Sequence, residues 1–245
     1  MRKTMAKNNY DTVALIYDKL MRTVRYDYWS DYIYDIASKY VDNKSRVLEL
    51  GAGNCKLAKF LKKRYKNIIA TDLSLQMLEK NKKITLPKIC CDMTRLPFNG
   101  EFDLIISTFD SVNYLLYKKN LKALFKGISA ILSENGIFTF DVSMEKNSKT
   151  HSALPNRAGK VGQIRFTQKS DYNKKNKIHK NIFEIQLANG EKITEIHKER
   201  IYSFDDYFIL IEKAGLYVTE CLEAFSFKDG TPKSKRLQFI VKKAG

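Results

Sequence analysis

Two glycines and two acidic residues stand at a spacing that suits a nucleotide-binding loop. An apolar run over residues 46–50 contains Glu49 and leads into Gly51 and Gly53, and a second apolar run ends at Asp72. Glycines let a backbone approach a ligand closely, and a carboxylate after the next strand can accept hydrogen bonds from both hydroxyls of a ribose. The interval from Gly53 to Asp72 is close to the spacing of about 20 residues expected of an αβ unit. These residues predict a nucleotide site at the ends of two neighbouring parallel strands.

The charge of this loop distinguishes between nucleotide cofactors. A dinucleotide fingerprint needs a further glycine, and Lys56 stands at that position. Glu49 would repel a pyrophosphate, whereas it suits the ammonium and the sulfonium of S-adenosylmethionine, which carries no phosphate. The loop therefore favours S-adenosylmethionine over NAD.

With these residues the chain resembles the class I S-adenosylmethionine-dependent methyltransferases over roughly residues 10–242. The matching motifs are Glu-Leu-Gly-Ala-Gly at 49–53, Asp72, Cys-Cys-Asp-Met at 90–93 and the segment 102–114. One departure is Cys55, where the family usually has a third glycine, and it predicts a tighter loop or a slightly displaced cofactor.

The resemblance implies an enzyme that uses S-adenosylmethionine, and it implies roles for the motif residues. Glu49 would hold the methionine amino end, Asp72 the ribose, and Asp92 with the Met93 backbone the adenine edge. Asp92 could instead cap a turn, and Asp72 could instead cap a helix, although Ser74 is the better cap. The implied cofactor contacts are Glu49, Gly51, Ala52, Gly53, Asp72, Leu73, Asp92, Met93, Thr108 and Tyr17.

The acceptor side is predicted from the segment that faces the transferred methyl group and from aromatic residues near it. An amine nucleophile must be neutral when it attacks, so Asp110 is predicted to accept its proton. The three histidines, His151, His179 and His197, are alternatives for that role. Asp110 and Asn113 could also be ordinary loop residues, and the aromatic residues could belong to the core. The predicted acceptor contacts are Tyr10, Trp29, Asn113 and Tyr114.

Composition narrows the class of protein. A length of 245 residues suits one α/β domain with an appended piece, and four cysteines show neither a disulfide framework nor a metal-binding spacing. No apolar stretch reaches the roughly 18 residues of a membrane span, and no export signal follows the polar start. We expect a cytoplasmic protein without a metal site and without membrane association.

The net charge of +17 raises the possibility of a nucleic-acid partner. The basic runs are scattered and rich in lysine, without the interleaved aromatic residues of a base-stacking surface. The predicted acceptor is therefore a small molecule, possibly an amine, and an RNA-modifying methyltransferase is the main alternative. A nicotinamide oxidoreductase is disfavoured by Glu49, while a non-catalytic cofactor-binding protein stays open because of Cys55. The sequence does not indicate the oligomeric state.

The fold class follows from alternating strands and helices. We predict a Rossmann-like, doubly wound α/β fold with a seven-stranded, mostly parallel sheet whose last strand is antiparallel. Two helices are expected within residues 10–40 as a lid over the cofactor. Gly136 is expected to end the long helix near 118–132. Core strands are expected near residues 46–50, 67–72, 88–91, 103–108 and 136–141, and the other core helices near 55–64 and 74–82.

Residues 146–203 change to polar sequence with alternating runs, which predicts an inserted small antiparallel sheet. Asn189-Gly190 is its hairpin turn. The predicted organisation is a lid and methyltransferase core over residues 1–145, the inserted sheet over 146–203, and the completion of the core over 204–245. Because additions at strand ends border the crevice, the inserted sheet is expected to select the acceptor. In this arrangement the chain resembles methyltransferases that act on amines, including amino sugars.

Overall fold

Two β-sheets organise the computed structural model, which describes residues 3–5 and 9–245. The strands are β1 (Lys3–Met5), β2 (Arg46–Leu50), β3 (Asn67–Asp72), β4 (Lys88–Cys90), β5 (Phe102–Ser107), β6 (Leu132–Ser143), β7 (Arg157–Val161), β8 (Ile164–Asn173), β9 (Ile178–Gln186), β10 (Lys192–Arg200), β11 (Leu216–Glu223), β12 (Lys228–Asp229) and β13 (Arg236–Lys243). The helices are α1 (Val13–Leu20), α2 (Tyr26–Ala37), α3 (Lys56–Leu61), α4 (Leu75–Glu79), α5 (Lys118–Ile131), α6 (Glu145–Ser152) and α7 (Phe204–Glu212), with a 3-10 helix at Ser111–Tyr114.

The large sheet has the strand order β4-β3-β2-β5-β6-β13-β11-β12. Strands β2 to β6 are parallel, and β13 is antiparallel to both of its neighbours. The central strands are almost continuously apolar because helices cover both faces of the sheet. The predicted fold class is confirmed, with one addition: the two-residue β12 makes an eighth strand at the edge.

The helix α5 lies within one residue of its predicted bounds, but Gly136 does not end it. It stops at Ile131, and β6 begins at Leu132, which pairs with Phe102 of β5. The expectation that Gly136 ends this helix is wrong, because Gly136 lies within β6. A Cβ atom at Gly136 would lie 2.8 Å from the Asp103 carbonyl oxygen, so the glycine is required where the two strands pass closely.

The small sheet has the order β1-β10-β9-β8-β7. The predicted hairpin between β9 and β10 is confirmed, and Gly190 there has a φ of 84° while the Asn189 side chain accepts a hydrogen bond from the Glu191 N–H. The pairing of β1 parallel to β10 was not predicted, nor were β7 and α6. The domain boundaries stay a prediction, and Lys3–Met5 of β1 pair with the inserted sheet.

The helices α1 and α2 precede the first core strand, as predicted. Val13 and Ile16 of α1 pack against Phe166 and Phe183 of the small sheet, so α1 joins this sheet to the core. The Tyr17 hydroxyl of the same helix reaches within 3.6 Å of the Cβ position at Gly53. Among the residues that the structure describes, no helix is long and apolar enough to cross a membrane.

Candidate functional site

A cavity of about 800 Å³ opens at the carboxyl ends of β2, β3 and β4. Parallel strands expose their last residues there, so loops from different parts of the chain meet around one space. The predicted cofactor and acceptor residues that line this cavity are Tyr10, Tyr17, Gly51, Ala52, Gly53, Asp72, Leu73, Asp92, Met93 and Tyr114. We call it the cofactor cavity.

The loop after β2 turns with left-handed backbone conformations. Gly51 has a φ of +67°, and a Cβ atom there would lie 2.5 Å from the Ser111 hydroxyl oxygen. Gly53 has a φ of +54°, and only side-chain atoms at 3.5 Å or more lie near its Cβ position. Gly51 is therefore required both by its backbone conformation and by the contact with the 3-10 helix.

Cys55 keeps the turn that a third glycine would make. Its φ is 59°, in the left-handed region, and it directly precedes α3. A residue with a side chain adopts this conformation at a cost of roughly 1–2 kcal/mol. The side chain is fully buried in the core beneath the loop, which offsets part of this cost. The departure from the family pattern thus preserves the backbone path of the loop.

The Asp72 side chain links this loop to the end of β3 through hydrogen bonds. One carboxylate oxygen accepts the Gly53 N–H at 2.8 Å, and the other accepts the Ser74 N–H at 2.8 Å. Burial raises the pKa of Asp72, and these backbone hydrogen bonds oppose the rise. Ser74 caps α4 through the Met77 N–H, as the sequence indicated. Each carboxylate oxygen of Asp72 retains a lone pair that can accept a ribose hydroxyl.

Glu49 lies beneath the same loop as a buried carboxyl group with an unpaired oxygen. Its residue is 2% exposed, and Oε2 has no hydrogen-bond partner among the described residues. Burial, with a smaller effect from the nearby Asp72 charge, raises the pKa of Glu49 to about 8. A buried carboxyl group with an orphaned oxygen fits an ammonium, which would supply both the hydrogen bond and the opposite charge.

Two other predicted cofactor contacts are only partly explained by this geometry. Asp92 lines the cavity, and its side chain also accepts the Thr94 N–H at 2.8 Å, so the alternative of a turn cap is observed as well. Thr108 is buried outside the cavity lining, and its carbonyl accepts the Ser111 hydroxyl at 2.7 Å. Thr108 therefore supports the lining of the cofactor cavity through Ser111. The adenine contacts of Asp92 and Met93 stay predictions.

A second cavity of about 410 Å³ adjoins the first. The residues common to both linings are Tyr10, Tyr17, Phe109 and Tyr114. Helices α1 and α6, the loop after β5 and one face of the small sheet enclose the second cavity. These four side chains form an aromatic wall between the two cavities. We call the second one the acceptor cavity, because the predicted acceptor contacts Tyr10, Trp29 and Tyr114 line it.

The small sheet contributes a network of polar side chains to the acceptor cavity. The Asn181 amide donates to Glu199 Oε1 at 3.3 Å and accepts hydrogen bonds from Ser170 and Gln168. Burial, with a smaller effect from the Asp110 charge, raises the pKa of Glu199 to about 8. His179 stands opposite Glu199 on the neighbouring strand, and burial lowers its pKa. At neutral pH both side chains are therefore held mainly in their uncharged forms.

Asp110, the predicted base, lines the acceptor cavity but is paired. Its carboxylate contacts the Arg236 guanidinium at 2.6 and 2.9 Å, and Arg236 also contacts the buried Asp141. The guanidinium lies 5.8 Å from the ring centre of Trp29, which also lines this cavity. A role of Asp110 as base stays a prediction, and the ion pair gives it a structural role.

Asn113 was predicted to contact the acceptor, and the structure places it elsewhere. It lines neither cavity, and its amide donates to the carbonyls of Ser143 and Arg200 while its carbonyl accepts the Ser143 N–H. These bonds engage the buried amide fully, so Asn113 joins the 3-10 helix to β6 and β10 rather than facing an acceptor.

The three histidines differ in their surroundings. His151, His179 and His197 all line the acceptor cavity, and His197 is buried with its Nε2 atom 2.6 Å from Glu195 Oε1.

The sequence analysis missed Glu195, Glu199, Gln168 and Arg236. The alternation of Glu195, His197 and Glu199 along β10 was the available signal, because residues two apart on a strand share one face.

Comparisons with known proteins agree with this geometry. A family model described as a methyltransferase domain matches residues 47–136, which contain the glycine loop, Asp72 and Asp92. A protein of Geobacillus sp. (strain WCH70) that carries a provisional methyltransferase name is 26% identical to this chain over 255 residues. That match covers 96% of this chain and 99% of the relative.

Solved structures match nearly the whole chain. The crystal structure of an S-adenosylmethionine-dependent methyltransferase from Clostridium acetobutylicum ATCC 824 has a TM-score of 0.80 and 26% identity, and covers 97% of this chain and 100% of that one. The sugar N-methyltransferase KedS8 from Streptoalloteichus sp ATCC 53650 has a TM-score of 0.79 at 14% identity, with 98% and 96% covered. At 14% identity, the similarity to KedS8 shows a shared fold.

Proposed function

The chain belongs to the class I S-adenosylmethionine-dependent methyltransferases, and we propose that it methylates the amine of a small hydroxylated molecule such as an amino sugar. S-adenosylmethionine is the cofactor, and it supplies an electrophilic methyl group on a sulfonium. The proposal that the acceptor is a small hydroxylated amine rests on the residues of the acceptor cavity.

The charge of the two cavities is the observation that carries the proposal. The chain has a net charge of +17, yet no lysine among the described residues lines either cavity. The acceptor cavity contains Asp110 and Glu199, and of its two arginines Arg236 is already paired with two aspartates. The other, Arg157, is exposed and donates to the Leu20 carbonyl at 3.4 Å. An ammonium near Glu199 would favour its ionised form, because an opposite charge lowers a carboxyl pKa. A phosphate group would meet these acids without a free lysine to bind it.

The size and polarity of the acceptor cavity favour a hydroxylated molecule. About 410 Å³ lies in the range of small-molecule sites. Gln168 Oε1, Ser148 Oγ and His179 Nδ1 are buried there without hydrogen-bond partners in the described part of the chain. Buried polar atoms are normally paired, so several hydroxyl groups on the acceptor would satisfy them. KedS8, which has the same fold, is a sugar N-methyltransferase, and this likeness supports the proposal.

The residues of this chain would act mainly by binding and orienting. Glu49 and Asp72 would hold the two polar ends of the cofactor, so that its methyl group points toward the wall formed by Tyr10 and Tyr114. Glu199 and Asn181 would hold the acceptor in the second cavity, so that its amine reaches past Tyr10 and Tyr114 to the methyl group where the two cavities meet. Positioning two reactants on one axis supplies most of the rate of such a displacement, and the aromatic wall excludes water.

A methyl-transfer assay tests the proposal directly. Radiolabelled S-adenosylmethionine is incubated with glucosamine, galactosamine and ethanolamine, with N-acetylglucosamine as the control that lacks a free amine, and with total RNA. We expect label in at least one free amino sugar and none in the acetylated control or in RNA. Label in RNA alone would contradict the proposal and favour the RNA-modifying alternative.

A further inference from the structure

A line of hydrogen bonds connects the wall between the two cavities to the small sheet. The Tyr10 hydroxyl lies 3.1 Å from the Tyr114 hydroxyl, which lies 3.0 Å from His197 Nδ1. His197 Nε2 lies 2.6 Å from Glu195 Oε1. Tyr10 and Tyr114 line both cavities, whereas Glu195 and His197 are each only 2% exposed. The line therefore begins where the two cavities meet and ends at a buried carboxylate.

The chemistry of Glu195 fixes the direction of these bonds. Burial alone would raise the pKa of Glu195, but hydrogen bonds from His197 and from the backbone N–H groups of Thr12 and Val13 hold it below its ordinary value. An ionised carboxylate only accepts hydrogen bonds, so His197 Nε2 carries the proton in the neutral imidazole. Nδ1 then accepts from the Tyr114 hydroxyl, and the Tyr114 oxygen accepts from the Tyr10 hydroxyl. Every bond in the line therefore points toward Glu195.

Glu195 also holds Tyr10 in place. Its carboxylate accepts the N–H groups of Tyr10 at 2.5 Å, Thr12 at 2.7 Å and Val13 at 3.0 Å. Tyr10 has a φ of 65°, a conformation that is uncommon for a residue with a side chain. Such strain persists where the surroundings enforce it, often at functional sites. The same carboxylate therefore orders the backbone of Tyr10 and the ring of His197.

We infer that Tyr10, Tyr114 and His197 form a proton relay, positioned by Glu195, that deprotonates the bound ammonium of the acceptor before methyl transfer. This inference rests on the proposed function, because only an amine acceptor arrives protonated. The ammonium N–H bond breaks and its proton passes to the Tyr10 oxygen, the Tyr10 proton passes to Tyr114, and the Tyr114 proton passes to His197 Nδ1. The freed nitrogen lone pair then forms the bond to the methyl carbon as the carbon–sulfur bond breaks and its electron pair stays on sulfur. The ammonium charge is thus moved to an imidazolium beside the ionised Glu195.

The groups around the relay suit this proton movement. The carboxyl groups near Tyr10 and Tyr114 are Asp72, Glu195 and Glu199, and Tyr17 is the other titratable group beside them. The ring of Phe183 packs against His197 from the neighbouring strand, with 5.2 Å between the ring centres. Acidic neighbours stabilise an imidazolium, and Glu195 is hydrogen-bonded to the His197 ring.

Kinetics on the full-length protein test the relay. We expect Tyr114→Phe and His197→Gln to lower kcat at about pH 7 by about 10²-fold, the usual contribution of a general base, while S-adenosylhomocysteine affinity changes less than about twofold. The deficit should shrink steadily with rising pH, because the amine then arrives already deprotonated. Tyr217→Phe, which removes an exposed hydroxyl on β11, is the matched control and should behave like wild type. A deficit in the relay variants that does not change with pH, or full activity in them, would overturn the relay.

A second measurement needs no acceptor, so it separates the relay from the proposed function. Nitrogen NMR of histidine-labelled protein is assigned by the signal lost in His197→Gln. We expect His197 as the Nε2–H tautomer with a hydrogen-bonded Nδ1, and we expect the Nδ1 signal to move in Tyr114→Phe. The Nδ1–H tautomer would overturn the relay even if the protein methylates amines. An absence of methyl transfer to every amine in wild-type protein, with the expected tautomer, would contradict the acceptor class alone.

Discussion

The cofactor cavity and the acceptor cavity share one wall but are built in opposite ways. The cofactor cavity is assembled from consecutive strand ends. Asp72, which lines it, and Glu49, which is buried beneath its loop outside the lining, lie within one αβ unit. The acceptor cavity gathers Asp110, Glu199 and Arg236 from three distant parts of the chain. A motif can therefore encode the first cavity locally, whereas the second depends on how the small sheet packs. This difference predicts that substitutions in one cavity should spare the ligand of the other.

The largest expected effect is at Gly51. Gly51→Val places a branched side chain at a φ of +67° and against the Ser111 hydroxyl, so we expect S-adenosylhomocysteine binding to be lost by calorimetry. Circular dichroism should show a folded protein. Gly162→Val is the matched control, since Gly162 also has a positive φ of +55° but nothing lies within 4 Å of its Cβ position. Binding by the Gly51 variant at wild-type affinity would show that the loop does not contact the cofactor.

The next effect concerns Asp72. Asp72→Ala removes the carboxylate that can accept the ribose hydroxyls, and it also releases the Gly53 N–H. We expect the affinity for S-adenosylhomocysteine to fall by about 1.5–3 kcal/mol, the range for hydrogen bonds to a charged group. Asp72→Asn, which keeps one carbonyl oxygen, should lose less. If calorimetry finds the same S-adenosylhomocysteine affinity in Asp72→Ala as in wild type, Asp72 does not bind the ribose.

A smaller effect is expected for the acceptor at Glu199. Glu199→Gln keeps the shape of the side chain but cannot ionise, so the affinity for an amine acceptor should fall by at least about tenfold. Because the pKa of Glu199 is raised to about 8, binding an ammonium at pH 7 should release up to one proton. Calorimetry in two buffers of different ionisation enthalpy measures this release. Glu184→Gln, an exposed carboxylate on β9, is the control.

The smallest effect is on stability. Glu199 has a folded-state pKa of about 8, above the usual value of an unfolded glutamate, so the folded protein binds more protons between about pH 4.5 and 8. Stability therefore falls as the pH rises through this window. Glu199→Gln removes this dependence, so the variant should lose less free energy of unfolding than wild type between about pH 6 and pH 8.5. Urea denaturation at about pH 6 and pH 8.5 measures this difference. If the free energy of unfolding changes with pH equally in both proteins, Glu199 does not have the raised pKa of a buried carboxyl group.

The same contrast explains what the sequence could predict. Glycines, a strand-end acid and alternating strands and helices are local patterns, so the α/β fold, the cofactor and the hairpin at Asn189-Gly190 could be predicted and are confirmed. Cys55 was a departure only in residue type, because the chain keeps the left-handed turn there.

The acceptor side could not be predicted in the same way. Asn113 was read as a loop residue that faces an acceptor, but its burial depends on contacts with Ser143 and Arg200 far along the chain. Glu195 and Glu199 share a face with His197, but the sequence does not tell whether that face meets solvent or a cavity. That distinction comes from the packing of α1 on the small sheet.

Paired titrations test the separation of the two cavities most directly. S-adenosylhomocysteine, and then the amino sugar that the methylation assay identifies, are titrated into wild-type protein, Asp72→Ala and Glu199→Gln. The account predicts that Asp72→Ala loses S-adenosylhomocysteine affinity and keeps amino-sugar affinity, while Glu199→Gln does the reverse. If Glu199→Gln weakens S-adenosylhomocysteine as strongly as the amino sugar, the acidic cavity is not a separate acceptor site.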